Sequence, residues 1–547
     1  MGKLILFGLD GEEFVTLRRM VAEAPMPTLG GMLAEAASGP LESTDPPVTL
    51  PAWPSYFTGQ NPGKHGVVSF FEDLEGGQTR IVDLTDVRVP KLWDLLGQGG
   101  LRCGVFNIPL TFPAEPTSGF MVSGFPSVND PARYLYLPGF KDAFVKAFPD
   151  YTCEWMTIPV DNRGKIPEEQ LAIAKTLAAR NDVQCRALES LVEWTDPDAL
   201  LLCFQLPDKM KHLLWRETRP DGNPSANERS EEILALVRKS YARIDRTLAH
   251  LKAWAGPDAN FLFMSDHGFG AVHSLFCINN YLAKKGFFRP PRLAVMLDIF
   301  LRLTRRLARG PLERVHRWLH LPTSLYHSRL RNWLTGPIDA QCARFLEYGV
   351  RINMNGRTLQ GCSDRAAYEA LRDRIRHALA EAVDPRTGRR LLESVWTREE
   401  LYTGPLVERF PDLIYRPAPG IYVTDALLPR ILLREGYLRD AAGFADSWHE
   451  RDGIFIGYGP AFRKKAQVRA SLLDLAPTAL YLADLPIPSS MDGHILAEAL
   501  NPELLERRPP RRVETPADVS PTGRQGAAYS EKDQKAIERR LADLGYL

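Results

Sequence analysis

The chain has 547 residues, 44% of them apolar and 25% charged, the composition of a soluble globular protein with one large, insertion-bearing domain or two to three domains. A formal net charge of +1 excludes the strong basic field of a nucleic-acid binder and any bulk attraction to an acidic partner. Seven cysteines, at 103, 153, 185, 203, 277, 342 and 362, include no CxxC pair, so reduced cytoplasmic thiols are expected, without a disulfide framework.

Residues 3–9 lead through Leu4-Ile5-Leu6-Phe7-Gly8-Leu9 to Asp10-Gly11. A short apolar run that stops at a turn is the pattern of a buried parallel strand; it is too short for a signal-peptide core. No stretch reaches the roughly 18 apolar residues of a spanning helix. Functional side chains of open α/β sheets gather at the carboxyl ends of strands, where Asp10 falls. After a predicted helix near 27–37 comes Asp45-Pro46-Pro47-Val48-Thr49-Leu50-Pro51-Ala52-Trp53, continuing through Thr58-Gly59 to Gly63-Lys64-His65-Gly66. Thr49, after a Pro-rich approach and with Pro51 in the turn that follows, reads as a helix N-cap. Most capping threonines do no chemistry, yet free N–H groups and positive potential at a helix start suit an anion under attack by a hydroxyl.

A helix at 92–96 and a strand at 103–107 continue an alternation that predicts a doubly wound, mostly parallel α/β sheet with helices on both faces. Helical periodicity over 170–194 runs into a buried-strand pattern at 199–204 and then Pro207-Asp208-Lys209-Met210-Lys211-His212. Asp208 and His212, four apart, share one helix face, which suits two ligands of one metal. Residues 260–265 form another strand-like run ending on Asp266-His267-Gly268, and His449 precedes a buried-strand pattern at 454–458. Each feature is weak alone: Asp/His pairs are common on helix surfaces, DHG is ordinarily a turn, and a lone histidine is more often structural than a ligand.

Residues 1–287 and 346–505 are expected to form a two-part catalytic core. The intervening 288–345 carries eleven arginines between 289 and 344 against Asp298, Glu313 and Asp339, and reads as a basic helical insertion: a lid, a surface for peripheral contact with anionic membrane, or a dimerisation element. Residues 506–547 read as a Pro/Arg-rich linker and a short helix opened by a capping box at Ser530-Glu531-Lys532-Asp533.

Together Asp10, Thr49, Asp208, His212, Asp266, His267 and His449 supply three carboxylates, three imidazoles and a hydroxyl, enough for two metal ions flanking an in-line displacement. In content and order these motifs resemble the alkaline phosphatase superfamily, and within it the type I phosphodiesterase/nucleotide pyrophosphatase branch, over about residues 1–285 and 345–500. The resemblance implies an alkaline-phosphatase-like fold, one metal on Asp208, His212 and His449, and the other on Asp10, Asp266, His267 and Thr49. It also implies ping-pong hydrolysis through a phospho-threonine on Thr49. Mixed Asp/His ligation favours two zinc ions, with manganese next.

Thr49 and Trp53 stand where sulfatases carry Cys or Ser and Arg, which argues against that branch. Ser69-Phe70-Phe71 stands where nucleotide pyrophosphatases typically carry an Asn, so the Leu50 N–H or Lys64 is expected to meet the phosphate instead. The expectation is a cytoplasmic phosphodiesterase of small-molecule phosphate esters or diesters. Its alternatives are a phosphomonoesterase or phosphonate hydrolase that draws charge from the insertion, and a metal-stabilised scaffold with a dead site.

Overall fold

The apolar run at the start of the chain forms the strand Leu4–Leu9, buried throughout and paired in parallel with Ala199–Phe204 on one side and Asn260–Met264 on the other. A strand covered on both faces has no side to show to water, which is why its sequence is continuously apolar instead of alternating. The computed structural model describes residues 2–73, 79–153, 167–219, 228–287, 343–346, 349–352, 364–424, 436–441, 446–514 and 528–544.

Its main sheet has nine strands in the order Ala470–Ser471, Ala37–Glu42, Asp452–Tyr458, Asn260–Met264, Leu4–Leu9, Ala199–Phe204, Cys103–Phe106, Phe120–Val122 and Leu135–Tyr136. All share one direction except Asp452–Tyr458 and Leu135–Tyr136. The doubly wound, mostly parallel expectation therefore holds. The helices expected at 27–37, 92–96 and 170–194 are present as Pro27–Glu35, Leu92–Gln98 and Pro167–Thr195.

A second, smaller apolar cluster gathers Phe276, Tyr281, Val350, Ile375, Leu379 and Leu413 between the helix Arg365–Ala380 and two small sheets. The described residues of 364–440, which the sequence assigns to the second part of the core, pack largely around this cluster, and the main sheet resumes at Asp452. Most of the basic insertion, 288–342, lies outside the described residues, and with it the lid, membrane and dimer expectations. At the far end of the chain the Ser530 N–H reaches the Asp533 carboxylate at 3.0 Å and the Asp533 N–H reaches Ser530 Oγ at 3.2 Å, the reciprocal pattern of a capping box. The helix Glu531–Leu544 that it opens buries Ile537 and Leu541 in the main core. Among the described residues no helix is long and apolar enough to cross a membrane, and five cysteines are buried free thiols.

The helix Thr49–Thr58 is buried along its whole length and lies directly on the first strand. Gly8 permits this: a Cβ there would sit 2.6 Å from the Trp53 indole and 2.9 Å from the Leu202 carbonyl oxygen. Gly8→Ala is therefore expected to overpack the junction and cost about 1–3 kcal/mol of stability, read as a lowered midpoint in urea unfolding.

Candidate active site

Strand direction brings the candidate residues to one edge. Asp10, Asp208 and Asp266 follow the carboxyl ends of three adjacent parallel strands, and Thr49 follows Ala37–Glu42, which runs the same way. Asp452–Tyr458 is antiparallel to its neighbours, so its beginning falls on that edge, and His449 accordingly precedes its strand where the others follow theirs. Hydrogen bonds tie the edge together: the Asp10 N–H donates to the Phe204 carbonyl at 3.1 Å, and the Ser43 N–H donates to the Arg451 carbonyl at 3.1 Å. Gly11, at φ +65°, makes the turn after Asp10, and a Cβ on it would lie 2.8 Å from the Phe269 ring and 3.0 Å from the Asp208 backbone.

Two groups of ligand atoms converge, each within 4.8 Å of one another: Asp208, His212 and His449, and Asp10, Asp208 and His267. Asp208 Oδ1 lies 3.3 Å from His212 Nε2 and 3.5 Å from His449 Nε2, and these two nitrogens are 2.9 Å apart. His267 Nδ1–H donates to the Gly268 carbonyl at 3.1 Å, which leaves the lone pair on Nε2, 3.7 Å from Asp10 Oδ1 and 3.4 Å from Asp266 Oδ2. Asp266 borders this second group: its Oδ1 accepts from the Gly11 N–H at 3.2 Å, while its Oδ2 faces His267 Nε2. The imidazoles of His267 and His449 stack at 3.7 Å, and Phe269 closes one side against all three histidines.

Burial, then the Asp266 and Asp208 charges, push the Asp10 carboxyl well above its ordinary range, and burial with Asp208 pushes Asp266 up to about 7. Burial acts on Asp208 in the same sense, but the Lys209 ammonium and the His212 ring outweigh it and hold that carboxylate well below the usual value. Burial keeps both His267 and His449 neutral, the former well below the usual histidine value and the latter at about 4. Among the described residues, Asp10 Oδ1, Thr49 Oγ1, Asp208 Oδ1, Asp266 Oδ2 and His267 Nε2 are buried without a hydrogen-bond partner. Orphaned carboxylate oxygens and imidazole lone pairs pointing at one another are what a pair of divalent cations requires.

Thr49 is one residue further in than the sequence suggests. Val48, in extended conformation, holds the cap position; Thr49 is the first helical residue and makes no capping hydrogen bond, so its hydroxyl is left for other use. The Leu50 N–H belongs to the same first turn, whose amides lack intrahelical acceptors. Lys64 follows the other end of this ten-residue helix, which is about 15 Å long. Its ammonium is held there by Asp492 and by the Ser490 carbonyl at 2.9 Å. Phe70 is buried edge-on against Phe125, so the segment that replaces the expected Asn turns an apolar ring to the core. Sequence reasoning passed over Lys209 and Lys211. They stood in view inside the Asp208/His212 motif, but helical spacing does not reveal that both ammonium groups are buried.

Residues 4–443 match the type I phosphodiesterase/nucleotide pyrophosphatase family. The chain belongs to that family, and by class it is a phosphoryl hydrolase. The match ends short of His449, which strand pairing with Phe269 brings to the site. None of the curated proteins matches the chain significantly. Similar solved structures include murine ectonucleotide pyrophosphatase/phosphodiesterase 5, 14% identical over 88% of this chain and 95% of that one with a TM-score of 0.46. The human form is 15% identical over 91% and 100%, at 0.45. Phosphonoacetate hydrolase from Sinorhizobium meliloti, in complex with phosphonoformate, is 16% identical over 88% and 96%, at 0.47.

Burial raises both the Asp10 and Asp266 carboxyls, Asp266 to about 7, so a cation held by Asp266 would compete with a proton for that carboxylate near neutrality. Zinc titrated into chelator-treated protein is expected to release protons at pH 6.5, and its affinity to fall by about tenfold per pH unit per proton displaced below pH 7. Calorimetry in two buffers of different ionisation enthalpy reads both.

Proposed function

We propose that the protein hydrolyses phosphodiesters of small molecules through a covalent phospho-threonine on Thr49, in a site that takes two divalent cations, zinc first and manganese second. The observation that carries this reading is the buried, unpartnered Thr49 hydroxyl at a helix start, on the sheet edge where three carboxylates and three imidazoles converge. Asp208, His212 and His449 would hold one cation, and Asp10, Asp266 and His267 the other. When bound, the cations supply a lowered hydroxyl pKa and neutralise charge on the phosphoryl oxygens.

Thr49 then does the covalent work: its oxygen bonds to phosphorus as the bond to the leaving alcohol breaks on the opposite side. Water enters from that side, cleaves the threonyl phosphate and restores the hydroxyl. The Leu50 N–H, in the unsatisfied first turn, would donate to a phosphoryl oxygen, and Phe269, edge-on to His212 and His449, would shield the imidazoles from water. Thr49→Ala is expected to keep its fold and its metal while turnover falls by at least about a thousandfold. Hydrolysis of bis-p-nitrophenyl phosphate, with metal content measured on the same samples, reads both; near-normal turnover in that variant removes Thr49 from the nucleophile's role.

Lys209 favours a second reading, a phosphomonoesterase or phosphonate hydrolase. Its buried ammonium sits 2.5 Å from Asp208 Oδ2, and its charge also acts on Asp10 and His449. Two divalent cations against three carboxylates leave one positive charge, matched to a singly charged diester; Lys209 adds a second, matched to a dianion. Lys209→Met is expected to lower activity on p-nitrophenyl phosphate more than on the bis-p-nitrophenyl ester. An unchanged ratio retires this second reading.

A further inference from the structure

We propose that Lys211 is a positioning residue that fixes the two halves of the site relative to each other, and that the Asp10 half depends on its ammonium while the Asp208 half does not. This rests on the two-cation reading above.

Lys211 is fully buried, and the three donors of its ammonium meet three acceptors: the Gly11 carbonyl at 2.8 Å, Glu12 Oε1 at 2.6 Å and the Glu13 carboxylate. All three acceptors lie in the turn directly after Asp10. The ammonium of the Asp208/His212 helix therefore grips the segment that presents Asp10. That segment passes the constraint on, since the Glu12 N–H donates to Ser265 Oγ at 2.7 Å and this hydroxyl donates to the His267 carbonyl at 2.7 Å. Gly11 meanwhile donates its N–H to Asp266 Oδ1, and Glu12 Oε2 accepts from the Tyr241 hydroxyl at 2.7 Å. Asp10, Asp266 and His267 are thus laced to one another, and the lacing is anchored to the neighbouring helix through Lys211.

The other half is joined differently. The Lys211 main-chain carbonyl accepts from Ser447 Oγ at 2.9 Å, two residues before His449, and Asp208 and His212 lie on the same short helix. None of these links uses the ammonium, so removing it leaves Asp208, His212 and His449 in place and cuts the side-chain tie between their helix and the turn that carries Asp10.

Lys211→Met alone strands the Glu12 carboxylate in the interior and is expected to destabilise the fold, as breaking one partner of a buried ion pair does. The double variant Lys211→Met/Glu12→Gln removes the ammonium together with the fully buried carboxylate, keeps a side-chain oxygen for Tyr241, and leaves no charge without its partner except the Glu13 carboxylate, which reaches solvent, so it separates most of the ion-pair stability from positioning. Full-length wild type and double variant are stripped with chelator, titrated with cobalt(II), and followed by visible absorption, bound-metal analysis and thermal unfolding. The double variant is expected to recover most of the wild-type unfolding temperature, to bind one cobalt normally, and to bind the second at least about tenfold more weakly. A double variant that binds two cobalt ions with wild-type affinities and spectrum, beside a wild type that also binds two, overturns the Lys211 proposal alone. Equal weakening of both sites also overturns it. A wild type that binds fewer than two ions overturns the two-cation reading, and the Lys211 proposal with it.

Discussion

Three carboxylates buried at one sheet edge cannot all carry their charge unless something positive stands among them. In this chain that compensation is divided. The Lys209 ammonium and the His212 ring hold the Asp208 carboxylate low, while burial pushes the Asp10 and Asp266 carboxyls up. Much around the site follows from this: imidazoles kept neutral by burial, a tautomer of His267 set by the Gly268 carbonyl, and a second lysine whose charge is consumed by Glu12 and Glu13. The helix that carries Thr49 completes the edge with a hydroxyl the fold does not otherwise use.

The strand pattern was legible because burial on both faces leaves a plain mark. Leu4–Leu9, Ala199–Phe204 and Asn260–Met264 are each continuous apolar runs, and the residue types that end them are the ones that converge. Asp208 and His212 were legible for a different reason, since a separation of four residues on a helix fixes a shared face. His449 could be nominated only through the resemblance, because its proximity to the others comes from an antiparallel strand and from the pairing of Phe269 with His449.

What the sequence obscured were properties of side-chain direction. Thr49 has every local mark of an N-cap, yet the helix begins one residue earlier than those marks suggest. Lys64 is separated from Thr49 by a helix and pairs with Asp492, a partner far away in sequence. Lys209 and Lys211 look like solvated charges on a short amphipathic helix, and only tertiary packing turns both inward. The small cluster around Leu379 and Leu413 was equally hidden, since its strands and helix have the same local patterns as those of the main core.

The pairing of Gly268–Ala271 with Ser447–Glu450 has a consequence for how this architecture can diversify. These two strands form a neck: the chain leaves the edge that carries Asp266 and His267 through one and returns through the other, and many of the described residues between them pack around their own cluster. Such an excursion is a module with a fixed base. Its paired base fixes where Asp266, His267 and His449 stand relative to one another, while Tyr402 and Arg416 reach from the excursion to Asp45, four residues before Thr49, so a change inside the excursion meets the edge through Asp45 and not through the paired strands.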